Sequence, residues 1–190
     1  MTMHTLVAIV EDHPGVLARV ASLFRRRGFN IQSLAVGPTE MPGLSRMTIV
    51  VDGATVAVEQ VRKQLAKIME VIKVSDISRQ RLVAKELALI KVRTTPTTRG
   101  EIIRAADVSG ARIVDAAGDS ITMEITEDSE KIDSLITLLR GFGIKEVART
   151  GRVAMTRGAE AVLQAGAETG PARGRRRGPP AVPETYKERS

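Results

Sequence analysis

The order in which short apolar segments follow one another constrains this chain more than any single residue does. Thr5–Val10 is a compact apolar run that reads as a buried strand. An acidic turn follows, and then Val16, Leu17, Val20, Leu23 and Phe24 recur on one helical face, while Arg19 and Arg25–Arg27 fall mostly at other angles. Asp12 is placed to cap that helix, Pro14 to sit in its first turn, and Gly28 to end it in a left-handed conformation. Asn30–Val36 has strand character and Gly37–Gly43, with Pro38 and Pro42, is a turn. Leu44–Asp52 alternates Arg46, Thr48 and Val50 on one face with Met47, Ile49 and Val51 on the other, the pattern of a half-buried strand. Val58, Val61, Leu65 and Ile68 form a second helical stripe, with Glu59 and Lys63 spaced as a favourable pair, and Val71–Ile77 supplies a fourth strand.

The same order then recurs. Glu86–Arg93 reads as a strand and Thr98–Ser109 as a helix whose inward positions are Ile102, Ile103, Ala106 and Val108. Arg112–Ala116 and Ser120–Thr126 form a hairpin around Gly118 and Asp119, Asp128–Arg140 a second helix, Lys145–Thr150 a last strand, and Val153–Thr156 an extension. Two strand-helix-strand-strand-helix-strand units joined near Ser78–Ala84 predict an α+β chain of two ferredoxin-like βαββαβ domains, each a sheet with both helices on one face.

A hydrophobic content of 43% in 190 residues supports real cores. No apolar run approaches the roughly 20 residues that cross a bilayer, and the opening stretch turns acidic before a signal peptide develops, so the expected location is the cytoplasm. Zero cysteines exclude disulfides, thiolate nucleophiles and zinc-thiolate sites. The net charge is +7, but from Arg157 onward seven Lys or Arg face four Glu, leaving +3 there and +4 in the remainder. Beyond Gly158 the chain is rich in Gly, Pro and Ala. Apart from a candidate short helix at Glu160–Ala165 it lacks the periodicity that offsets ordering entropy, and a disordered, basic tail is expected.

One local constellation stands out. A helix N-terminus presents free N–H groups and about half a positive charge, and Gly15 lets a small anion approach that backbone closely. A free α-amino acid suits the place. Its carboxylate would meet the amides near Gly15 and Val16 and its ammonium Asp12 or the Asn30 amide oxygen. An aliphatic side chain would rest on Val16, Leu17 or Ile31, with the two pieces facing across a sheet edge or a dimer seam. The plain structural reading of the same residues, with Asp12 as cap, Gly15 as turn and Asn30 as the start of a strand, stays open at this point.

Other chemistry has weaker support. Glu11, Asp12 and His13 are consecutive potential metal ligands, but adjacent positions seldom converge on one ion, and no metal site is expected. No GxGxxG, P-loop, HExxH or GxSxG sequence occurs and no triad is suggested, so no catalytic residue is assigned. RNA-binding sheets of this topology stack bases on aromatics of their central strands, and here the only aromatics are Phe24, Phe29, Phe142 and Tyr186.

The run EDHPGVLARVASLFRRRGFNIQSLAVGPTE, followed by LSRMTIVVD, resembles the small regulatory subunits of acetolactate synthase, also called acetohydroxyacid synthase. The similarity continues through ELALIKV, ARIVDAAGDSITMEITE and GFGIKEVARTGRVAMTRG, covering Thr5 to Gly158. It implies an ACT domain over residues 4–79 that pairs with a second copy and binds valine at the seam. A second ferredoxin-like domain is implied over 84–158, with a tail at 159–190 outside the family core. By position it implies that Asp12, Gly15, Val16, Leu17, Asn30 and Ile31 line or support the valine sites, several family members having Asn where Asp12 stands. It further implies a large catalytic subunit as partner, itself carrying thiamine diphosphate, Mg²⁺ and FAD. This chain would hold no cofactor and would regulate branched-chain amino-acid synthesis without being an enzyme by itself. A stand-alone amino-acid sensor acting on another enzyme or regulator is the alternative.

Overall fold

The computed structural model describes residues 3–158. The first unit runs β1 (Met3–Glu11), α1 (Val16–Arg26), β2 (Ile31–Pro38), β3 (Leu44–Asp52), α2 (Thr55–Leu65) and β4 (Val71–Asp76). The second runs β5 (Leu82–Arg93), α3 (Arg99–Ser109), β6 (Arg112–Ala116), β7 (Ser120–Glu127), α4 (Ser129–Leu139) and β8 (Ile144–Arg149), with β9 (Val153–Thr156) after it. The sheets have strand orders β2-β3-β1-β4 and β6-β7-β5-β8, so each unit is the expected α+β, ferredoxin-like βαββαβ arrangement. The expectations for residues 159–190, including a helix at Glu160–Ala165, lie outside the described residues.

Each unit has its own core. Leu6, Ala8 and Val10 of β1 and Met47, Ile49 and Val51 of β3 meet Val20 and Phe24 of α1 and Val58, Val61 and Leu65 of α2. In the second unit Ala88, Ile90, Val92, Met123 and Ile125 meet Ile102 and Ala106 of α3 and Ile132, Leu135 and Leu139 of α4. The stripes read from the sequence account for most of these positions. Ile103 and Val108 are corrections: both are exposed, because Ile102 and Ala106 one turn apart fix the phase of α3 and carry those neighbours away from the sheet. Leu17 is another, since Val16 and Val20 turn inward and leave it 44% exposed. Glu59 does reach Lys63, at 3.8 Å, but its carboxylate is taken mainly by Arg62, with bonds of 2.8 and 2.7 Å.

The prediction that β3 is half-buried is also corrected. Ser45 and Met47 through Val51 are all buried, on both faces of the sheet. The covering comes from later in the chain. β5 begins four residues earlier than Glu86, and this early segment pairs with β9 from Leu82↔Thr156 to Lys85↔Val153. The resulting ribbon lays Ala154, Leu82 and Ala84 over Val7, Ile9 and Ile77 on the face away from the helices. Arg46 Nη2 donates to the Ala154 carbonyl at 2.6 Å and fixes the ribbon to β3.

Candidate functional site

The turn between β1 and α1 is built around Gly15. Contrary to expectation, Asp12 does not cap α1 and Pro14 is not within it: the helix starts at Val16, and the capping position is Gly15 itself, at φ +93°. Asp12 is held too early in the chain to cap. Glu11 is still paired with Leu44, and the Asp12 N–H donates to the Gly43 carbonyl at 2.9 Å, fastening the loop to the β2–β3 turn. A left-handed backbone suits glycine, and nothing lies within 4 Å of where a Cβ would stand. No side chain caps α1 and its first turn holds no acidic residue. The amides that open an eleven-residue helix are thus left without a side-chain acceptor, which is the electrostatic condition for receiving a carboxylate. His13 sits beside them, its Nδ1 3.1 Å from the Pro14 carbonyl and its Nε2 3.3 Å from Glu11.

At the opposite end, Gly28 at φ +69° closes α1, Asn30 is exposed, and Ile31 opens β2 half-buried against the core. Within one chain these residues do not join the Gly15 turn. Ile31 and His4 both lie opposite Val51, so Ile31 is level with the start of β1, while the Gly15 turn follows Glu11 at its end. Seven residues of strand separate them, about 23 Å at 3.3 Å per residue. The structure therefore brings together Asp12, Gly15, Val16 and Leu17, and sets Asn30 and Ile31 apart.

β2 is an edge strand. Its face toward the helices carries Leu34, half-buried against the core, and Val36, 46% exposed. Val36 lies at the Gly15 end with Leu17 of α1 and with Met41 in the β2–β3 turn, which is also exposed. Of these, Val36 and Met41 were not singled out in the sequence. The signal available was the alternation of Leu34 and Val36 in a strand flanked by glycine and proline. Among the described residues no three His, Asp or Glu side chains cluster to hold a metal ion, and no helix is long and apolar enough to cross a membrane.

Residues 6–73 match the family described as an AHAS small subunit-like ACT domain, and residues 85–158 match the one described as the small subunit of acetolactate synthase. The probable acetolactate synthase small subunit of Archaeoglobus fulgidus is 57% identical over 155 residues, spanning 82% of this chain and 97% of that protein. This chain belongs to the acetolactate synthase small-subunit family. The acetolactate synthase small subunit of Mycolicibacterium smegmatis is 52% identical over 155 residues, covering 82% of this chain and 91% of its own length. The crystal structure of the small subunit from Thermotoga maritima aligns at a TM-score of 0.78 with 40% identity, over 84% of this chain and all of that one. The first unit is thus an ACT domain, a module whose presence suggests amino-acid sensing.

The topology also bears on nucleic-acid binding. A base-stacking sheet offers the face away from its helices, and in the first unit the ribbon of β5 and β9 covers that face with Leu82, Ala84 and Ala154.

Proposed function

We propose that this chain is the regulatory subunit of acetolactate synthase. In this reading it docks as a homodimer on the thiamine-diphosphate-dependent catalytic subunit, raises its activity and makes it responsive to valine. The chemistry, with thiamine diphosphate, Mg²⁺ and FAD, belongs to the catalytic chain. The observation that carries the proposal is the uncapped start of α1 behind a left-handed glycine, beside an edge strand with exposed apolar side chains.

Because Gly15 and Ile31 lie at opposite ends of the sheet, one chain supplies half a site at each end. Antiparallel pairing of β2 with β2 of a second copy about a twofold axis sets Ile31 of one chain level with Pro38 of the other, and so near the other chain's Gly15 turn. Two equivalent sites arise at the seam. In each, the amides after Gly15 receive the carboxylate of valine, Asp12 of that chain and Asn30 of its partner face the ammonium, and Leu17 and Ile31 cover the aliphatic side chain. A pocket of this kind separates aliphatic amino acids differing by one methylene by only about 1–3 kcal/mol, so overlapping responses to leucine and isoleucine are expected. For valine to inhibit, it must bind the less active assembly more tightly, by about 1–3 kcal/mol in a typical allosteric coupling.

Reconstitution tests this. The purified chain is added to the acetolactate synthase catalytic subunit, and acetolactate formation is followed with and without valine. A rise in rate on mixing, reversed by valine, is the expected result. Unchanged rates together with no co-purification would favour a sensor acting on a different protein.

A further inference from the structure

The edge strand that borders the Gly15 turn also touches the second unit, at a tight junction. Gly151, at φ +82°, lies so close to β2 that an added Cβ would stand 2.9 Å from Ser33 Oγ and 3.0 Å from the Leu34 carbonyl oxygen. The next residue makes the bond: the Arg152 N–H donates to Ser33 Oγ at 2.7 Å. From there the contacts continue into the second unit without a gap. Arg152 Nη2 donates to Ser129 Oγ at 3.3 Å, and Ser129 Oγ donates to Glu86 at 3.0 Å. Arg149 holds both oxygens of Glu86, at 2.9 and 2.7 Å, and reaches Asp133 on α4 at 2.6 Å. Glu86 is only 6% exposed, and the group lines one side of a cleft of about 460 Å³ between the units.

This chemistry is costly to keep unless it is held in register. A buried carboxylate that loses a donor is left short of a hydrogen bond, and one that loses its arginine bears an uncompensated charge, so the cluster favours one arrangement of β5, β8 and the start of α4. Ser33 stands two residues from Ile31, the position assigned above to the seam. Gly151 lies close against Ser33 and the Leu34 carbonyl and the next amide is bonded to Ser33 Oγ, so a displacement of β2 would bear on Arg152 and through it on Ser129.

We propose that the contact of Ser33 with Gly151 and Arg152 is the transmission point of this subunit. Loading of β2 at the two-copy seam is passed through it to the Ser129–Glu86–Arg149–Asp133 cluster of the second unit, with Ser33, Gly151 and Arg152 as positioning residues. The proposal rests on the seam reading for its ligand, but the mechanical link is testable without one.

Hydrogen exchange of the full chain, read by mass spectrometry with and without saturating valine, tests both parts on the wild type, Ser33→Ala and Gly151→Ala. Without valine, loss of the bond to Ser33 should speed exchange across residues 31–37 and 129–133 by about three- to tenfold. Exchange across residues 101–107, remote from the junction, should stay unchanged, which a general loss of stability would not allow. With valine, the wild type should gain protection in both segments and Gly151→Ala in residues 31–37 alone. Faster exchange confined to residues 150–152 in both variants would overturn the proposal, as would valine protection of 129–133 that persists in Gly151→Ala. Absence of valine protection at residues 31–37 in the wild type would instead refute the seam reading, and the ligand-free comparison would still decide the junction.

Discussion

Replacing Gly15 by Asp and by Asn separates the two properties that the turn is held to need. Both substitutions place a Cβ on a backbone at φ +93°, which costs about 1–2 kcal/mol, with Asn and Asp among the residues that bear it best. Neither meets a neighbouring atom within 4 Å at the Cβ, so their effects on stability should be alike. Charge is the difference. A carboxylate roughly 4 Å from the valine carboxylate is repelled by about 1 kcal/mol in bulk water and about 4 kcal/mol in the effective dielectric of a protein surface. A seam that closes over its ligand lies between these limits, so Gly15→Asp should weaken valine about 10- to 100-fold relative to Gly15→Asn. Isothermal titration of both variants, with their thermal midpoints as a control, measures this. Equal affinities in the two variants would refute the placement of the ligand carboxylate at the start of α1. Activation of the catalytic subunit should survive in both.

Three further outcomes follow from the cores and the ion pairs. Phe24→Ala removes a ring that is 1% exposed and should cost about 3–5 kcal/mol in chemical denaturation, without altering valine affinity in the fraction that remains folded. Leu17→Ala should do the reverse, leaving the denaturation midpoint nearly unchanged while weakening valine binding or self-association in sedimentation. Burial by itself would raise the Glu86 carboxyl, but the bonds from Arg149 and Ser129 outweigh it and hold the group below its ordinary value. A depressed carboxylate stabilises the fold above its unfolded value of roughly 4.3 and loses that contribution as pH falls through the folded value. The melting temperature should thus fall on acidification below about pH 4, and Glu86→Gln should flatten that part of the profile. An unaltered profile would mean that Glu86 does not carry the linkage.

Much of the fold was legible because it is local. The stripes Val20–Phe24 and Val58–Leu65 and the hairpin around Gly118 each declare themselves within a dozen residues, and the repeated order then fixes the topology. What escaped depends on distant chain. The alternation of Arg46, Thr48 and Val50 is that of a strand with one wet face, but Leu82 and Ala84 from mid-chain and Ala154 from β9 pack on that side of the sheet. Asp12 has the chemistry of a cap, but its backbone is committed to Gly43 across a turn that local pattern cannot register. The separation of Gly15 from Asn30 follows from the crossover itself, since the end of one strand and the start of the next parallel one lie at opposite ends of a sheet. The junction of Ser33 with Arg152, 119 positions apart, left no trace in either local sequence.

The claim on which the account turns is that each effector site takes Gly15 from one chain and Asn30 from another. Gly15→Asp and Asn30→Ala chains, each expected to bind valine poorly alone, can be unfolded together, refolded as a mixture and titrated. Mixed dimers would then hold one site carrying both defects and one carrying neither. High-affinity binding should return at about a quarter of all sites after random pairing. A mixture that binds no better than its two components would contradict a shared site and place both residues' roles within a single chain.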